Sequence, residues 1–123
     1  MRNQLIWREY NKKLNLREIY NYYGLVEQTG SIFIECKKCG SFLSSNFSDI
    51  IVRDKYFNKV EDGQKGLVQL ISLLPTSYPG HSILTEDIGE IVPRHKIKCN
   101  LDAKHFLIHG RLEDSEVRGC SDV

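Results

Sequence analysis

Between residues 3 and 15, Leu5, Ile6, Trp7, Tyr10 and Leu14 stand among Arg8, Glu9, Lys12 and Lys13 at a spacing that gathers most of the apolar groups on one helical stripe. The pattern predicts one short amphipathic helix. Beyond it the periodicity changes. Residues 19–23, 31–36, 47–53, 67–74, 89–92 and 106–109 form short runs rich in β-branched or aromatic side chains, and each is predicted as a strand. Turn material separates them: Gly24, Gly30, Cys39 to Ser41, the stretch 61–66, and 75–80 with its two prolines. Close-set turns and a single helix predict an α+β fold, mainly antiparallel β with one N-terminal helix. No repeat, low-complexity run or linker interrupts the chain, so residues 1–123 read as a single domain or a fragment of one.

Composition narrows the function classes. The 17 Lys and Arg against 16 Asp and Glu leave a formal charge of +1. That is too little for sequence-independent binding to nucleic acid, which requires clustered cations over many phosphates. The longest strongly apolar stretch, residues 67–74, is broken by Gln69 and Ser72 and is far shorter than the roughly 20 residues of a membrane span. After Arg2 only Leu5, Ile6 and Trp7 precede Arg8 and Glu9, which gives no apolar core for a signal peptide, and the expected compartment is cytoplasmic. There the four cysteines are expected as thiols, metal ligands or nucleophiles rather than disulfides. At this length folding buries roughly two-thirds of the surface of the unfolded chain, so a core forms without staples.

Five groups of residues invite chemistry, and each also has a plain structural reading. Tyr23 to Glu27 ends a strand in a glycine turn, where a planar base can stack on Tyr23 and Glu27 can hold Mg²⁺ as a hard oxygen ligand; the alternative is a turn with a packed tyrosine. Asp87 and Arg111 can together grip a vicinal diol such as ribose, or be surface ion-pair members. Cys36 and Cys39, two residues apart on a Gly40 turn, form a knuckle able to reach one tetrahedral ion. The remaining ligands would be Cys99 and one histidine, His95 in preference to His81 or His105; the alternative is a pair of ordinary thiols on a hairpin. Cys120, close to the C-terminus and to Arg118, offers a mobile thiolate suited to accept an acyl group, or is a free thiol on a frayed tail. The basic stretch Arg94, Lys96, Lys98 and Lys104 has only Phe106 as a nearby aromatic, which favours a solvated hairpin over a nucleic-acid face. His81-Ser82 adjacency sets no triad geometry, and neither GxGxxG nor a P-loop is present.

Taken in order, Tyr23-Gly24-Leu25-Val26-Glu27, residues 70–82 with the run PTSYPGHS, Thr85-Glu86-Asp87, and Gly110-Arg111 through Arg118-Gly119-Cys120-Ser121-Asp122 resemble the C-terminal part of the acyl-protein synthetases of LuxE type, within the adenylate-forming enzyme superfamily. The resemblance runs from about Ile19 to the end and implies the C-terminal portion of the large domain of those enzymes. It implies ATP-dependent activation of a long-chain fatty acid followed by acyl transfer to a C-terminal cysteine. Tyr23 would then stack on adenine, Glu27 would be the magnesium carboxylate, Asp87 and Arg111 would hold the ribose hydroxyls, and Cys120 would carry the acyl group to a reductase. Cys36, Cys39 and Cys99 match the family's small-domain cysteines, which makes zinc a second expected cofactor, and Ile97 departs from the family's pattern by standing where relatives carry a further cysteine. These residues contain no Ser/Thr/Gly-rich phosphate loop. The resemblance therefore implies a ligase inactive without an N-terminal half that carries that loop. The competing expectation is a non-catalytic, zinc-stabilised interaction module that keeps the fold only. The segment 75–81 has no role assigned from sequence.

Overall fold

The computed structural model describes residues 9, 10, 12–15 and 18–112. Residues 9, 10 and 12–14 are helical, which places the predicted helix; its residues 3–8 lie outside the described part of the chain. Seven strands follow: β1 (Tyr22–Tyr23), β2 (Phe33–Ile34), β3 (Phe42–Leu43), β4 (Ser48–Arg53), β5 (Gly66–Ser72), β6 (Ser82–Ile91) and β7 (His105–Arg111). They form a two-stranded sheet β1-β2 and a five-stranded sheet β3-β7-β6-β5-β4, every pairing antiparallel. An isolated bridge from Glu35 to Phe42 ties the small sheet to the edge of the large one. The fold class is the expected one.

One face of the large sheet is buried. Ser48, Ile50 and Val52 on β4 and Val68, Leu70 and Ser72 on β5 point inward at the two-residue period of a strand, and Ile91 and Phe106 join them from β6 and β7. The small sheet caps this face with Phe33, which meets Phe106 edge-on at 5.3 Å between ring centroids. Tyr23 and Phe42 complete an aromatic cluster against them. Phe33 and Phe106, fully buried, each contribute on the order of 1.5–3 kcal/mol from transfer out of water.

Two sequence expectations are corrected here. The run 89–92 is only the end of β6, a ten-residue strand beginning at Ser82, and β3 was not predicted. Hydroxyl and carboxylate groups at Ser82, Thr85, Glu86 and Asp87 break the apolar alternation of β6, and their pairing is supplied by β5 and β7 rather than by their own β propensity. β3 is too short to leave a periodic signature.

The segment between β5 and β6 also gains a role. Gln28 lies on a short 3-10 turn, Val26–Gln28, and its Nε2 donates to the Gly80 carbonyl at 2.8 Å. The Thr29 backbone N–H donates to the Tyr78 hydroxyl at 3.1 Å. The residues that carry the strongest resemblance thus clasp the turn on which Glu27 sits.

Candidate functional site

Two irregularities in the pairing of β6 with its neighbours shape the first site. Leu67 pairs with Ile88 and Gln69 with Leu84, so Thr85, Glu86 and Asp87 together stand opposite the single residue Val68. The bulge is held by the Thr85 hydroxyl, which donates to the Val68 carbonyl at 2.9 Å and accepts from the Asp87 N–H at 3.0 Å. It takes the place of a backbone pair that the bulge interrupts. On the other side of β6, Ile91 pairs with Phe106 and Gly89 with Ile108, whereas Ile88 pairs with Gly110 and Asp87 with Arg111. One extra residue on β7 shifts the register. Without it Gly110 would oppose Asp87, and the side chain of Arg111 would fall on the opposite face, because the side-chain period is two. The shift is accommodated by Gly110 at φ +143°, a conformation that favours glycine.

Asp87 is consequently buried and addressed from two sides. The Tyr23 hydroxyl donates to its Oδ2 at 2.7 Å, and Arg111 Nε lies 3.5 Å from its Oδ1. Burial first, then the hydrogen bond to Asp87 and its charge, push the Tyr23 hydroxyl above the ordinary tyrosine range, so it remains a donor. Leu25, Glu27, Ile83, Leu84, Thr85, Glu86, Asp87 and Arg111 line a cavity of about 240 Å³. Three carboxylates and one guanidinium meet there, a donor set that suits hydroxyl groups and a hard divalent cation. Of the predicted nucleotide residues, Glu27, Asp87 and Arg111 share this cavity. Tyr23 sits beneath it, half-buried, its ring about 6 Å from those of Phe33, Phe42 and Phe106.

The second site is the cysteine knuckle. Cys36 accepts through its carbonyl from the N–H groups of Cys39 at 3.2 Å and Gly40 at 2.7 Å, and Gly40 takes φ +65° to close the turn. The thiols of Cys36, Cys39 and Cys99 all lie within 4.8 Å of one another. Burial acts to raise the Cys36 thiol, but the N–H groups of Cys39 and Lys38, with hydrogen bonds from Cys99 and Cys39, hold it below the ordinary range. The donor set fits a soft divalent ion such as zinc. The expected fourth ligand, His95, is exposed on the 3-10 turn Arg94–Lys96 and is not among the three residues brought together here. The histidine beside the sulfurs is His105, fully buried, with Nε2 3.6 Å from Cys99 Sγ and Nδ1 2.7 Å from Ser41 Oγ. Burial, with the nearby charge of Arg94, holds it below the ordinary histidine range. Cys120 lies outside the described residues.

The family model described as "Acyl-protein synthetase, LuxE" matches residues 2–123. The chain belongs to the LuxE family of acyl-protein synthetases. The match extends the resemblance through the N-terminal segment that the motifs alone had left out. No curated protein and no solved structure matches the chain. Among the described residues no helix is long and apolar enough to cross a membrane. Within this LuxE-family chain, three features of the sites were not legible as such: the Thr85 hydroxyl bridging the bulge, Gly110 setting the register of Arg111, and Ser41 holding His105. Glycine directly before Arg111 was the one available signal.

Proposed function

We propose that this chain supplies the nucleotide edge and the acyl acceptor of a long-chain fatty acid:protein ligase. The observation that carries the reading is the register shift that sets Arg111 beside Asp87, in the cavity that Glu27 also lines. Asp87 accepts the two ribose hydroxyls of ATP and Arg111 donates alongside, while Tyr23, half-buried and bonded to Asp87, stacks on the adenine as the family resemblance implies. Glu27 would hold Mg²⁺, which when bound neutralises phosphate charge. The fatty acid carboxylate attacks the α-phosphate to give acyl-adenylate and pyrophosphate. The Cys120 thiolate then attacks the acyl carbonyl, forming a thioester as AMP leaves with the bonding electron pair. An N-terminal synthetase half bearing the phosphate loop completes the first step, and an acyl reductase takes the acyl group from Cys120.

Intact-mass spectra after exposure to a long-chain acyl-adenylate test the second step. A single acyl adduct on the wild type, lost with neutral hydroxylamine and missing from Cys120→Ser, is expected. An adduct that survives in Cys120→Ser would overturn the assignment. The cysteine group favours a second reading, a zinc-stabilised interaction module that keeps the fold without the chemistry. Under that reading neither nucleotide nor acyl adduct binds, and metal content alone sets the melting temperature.

A further inference from the structure

A second cavity lies away from the nucleotide residues. It measures about 430 Å³, within the usual range of ligand sites, and shares no lining residue with the one at Asp87. Tyr20, Ile34 and Leu101 converge on it, each exposed over about half its surface, with the half-buried Leu43 beside them. Exposed apolar side chains gathered on a concave surface mark a place that an apolar ligand fills. The cavity of about 240 Å³ at Asp87 is lined by three carboxylates, so an alkyl chain there would strip water from charged groups.

The second cavity sits at the His105 end of β7: Leu43 pairs with His105, and Cys99 on the cavity wall lies 3.6 Å from His105 Nε2. The nucleotide cavity sits at the other end, at Arg111. At about 3.4 Å per residue, the six steps from His105 to Arg111 span about 20 Å. The eight steps from Leu112 to Cys120 reach up to about 26–29 Å. An acyl group on Cys120 therefore has both cavities within range. Charge favours the longer excursion. Residues 113–122 carry Glu113, Asp114, Glu116 and Asp122 against Arg118 alone. Lys37 and Lys38 line the second cavity with Glu35 as its one acid, and the segment that gives it Cys99 and Leu101 also carries Arg94, Lys96 and Lys98, all exposed. Lys37 is engaged by Glu18 at 3.0 Å, whereas Lys38, Lys96 and Lys98 have no carboxylate partner among the described residues. An acidic stretch and a basic rim of this kind steer one another into register.

We propose that this second cavity shelters the alkyl chain of the acyl group on Cys120, with the acidic stretch 113–122 drawn to the lysines at its rim. The inference rests on Cys120 being the acyl acceptor. Left in water, a long alkyl chain is hydrated along its whole length; in the cavity it displaces water from Ile34, Leu43 and Leu101 as well as from itself. The basic stretch and the exposed apolar residues beside it thereby gain a common purpose. The chain is loaded at one end of β7 and held at the other until a reductase takes it.

Tetradecanoyl-adenylate with a ¹³C-labelled alkyl chain, added to the full protein, tests this in two stages. Intact mass and neutral hydroxylamine first establish the thioester on Cys120; its absence there would overturn the acceptor reading and this inference with it. On the acylated protein, NOEs from the labelled chain to the methyl groups of Ile34, Leu43 and Leu101 are expected. Ile34→Thr and Leu101→Asn should load Cys120 to the wild-type extent and lose the acyl group to hydroxylamine about 4- to 10-fold faster, as contacts worth one or two methylenes are removed. Tyr56→Asn, which removes an exposed ring on the turn after β4, should match the wild type. A thioester on Cys120 whose chain gives no NOE to those methyl groups would overturn the docking and leave the acceptor reading standing. NOEs to Leu25, Ile83 and Leu84 would instead seat the chain in the nucleotide cavity and overturn the docking equally. The wild-type spectra decide even where a variant fails to fold.

Discussion

The Tyr23 hydroxyl donates a 2.7 Å hydrogen bond to Asp87 Oδ2 across 64 positions of sequence, joining the small sheet to the bulge of β6. The tyrosine has two separable duties: its ring fills the aromatic cluster with Phe33, Phe42 and Phe106, and its hydroxyl fixes the carboxylate. Tyr23→Phe keeps the first and removes the second. A hydrogen bond to a charged, buried partner contributes about 1.5–3 kcal/mol net, so at this half-buried position a loss of about 1.5 kcal/mol is expected in chemical denaturation. Nucleotide binding should weaken as Asp87 loses its orientation. Unchanged affinity in Tyr23→Phe would separate Asp87 from the nucleotide.

The same pair makes a prediction at alkaline pH. Because burial and Asp87 raise the Tyr23 hydroxyl above its ordinary value of 10.0, the folded chain keeps a proton that the unfolded chain releases. That contribution to stability is whole below about pH 10 and declines as pH rises beyond it. Tyr20 is also raised, by its hydrogen bond and charge contact with Glu18, so the comparison belongs in a Tyr20→Phe background. There, melting temperature followed from pH 9 upward should fall more steeply with Tyr23 present than with Phe at that position.

Thr85 holds the bulge with a hydroxyl that both donates to Val68 and accepts from Asp87. Thr85→Ala strands a buried carbonyl and a buried N–H at once, each costing about 1–3 kcal/mol, so a loss of about 3 kcal/mol is expected. Thr85→Ser retains the hydroxyl and should lose less than about 1 kcal/mol. Equal losses from the two variants in urea unfolding would show that the methyl group, not the hydroxyl, matters.

How much of this was visible in the sequence follows from what each residue depends on. Ile50, Val52, Val68 and Leu70 announce β4 and β5 because their alternation is the inward face of the sheet. Asp87, Arg111 and Glu27 were visible as chemistry through the family motifs, but their shared cavity depends on two register shifts, and register is a property of paired strands that no single strand records. β6 was truncated in the reading because the residues that build the site are those that spoil its hydrophobic period. His95 was preferred to His105 for want of contact information: the turn Arg94–Lys96 turns its side chain outward, while β7 carries His105 into the interior.

The clasp over Glu27 is open to test at Gln28. Its Nε2 bond to the Gly80 carbonyl is buried, and its Oε1 is buried with no partner among the described residues. Gln28→Ala leaves the Gly80 carbonyl unpaired and opens space beneath the segment 73–81, a loss of about 2 kcal/mol. Limited proteolysis should then cut within 73–81 faster than in the wild type, while Tyr78→Phe, which removes only the bond from Thr29, should accelerate cleavage less. Cleavage rates unaffected by Gln28→Ala would mean that the segment is held by other contacts.

Gly110 is the place to test what sets the register of Arg111. A Cβ built there meets nothing within 4 Å, so the only penalty in Gly110→Ala is its φ of +143°. Gly89 differs: a Cβ there would lie 2.6 Å from the Leu107 carbonyl oxygen and 2.7 Å from Val68 Cγ2, a steric conflict inside the sheet. Backbone strain of that kind costs about 1–3 kcal/mol, and the chain can escape it by sliding β7 one residue, which pairs position 110 with Asp87 and turns Arg111 to the other face. Gly110→Ala should therefore weaken nucleotide binding about as much as Arg111→Ala does, with a modest fall in melting temperature, whereas Gly89→Ala should lower melting temperature more steeply. Amide exchange and cross-strand NOEs between β6 and β7 would report the slide directly. Retention of the Asp87–Arg111 pairing, with full nucleotide affinity in Gly110→Ala, would show that the bulge does not depend on glycine and that Arg111 is placed by its other contacts.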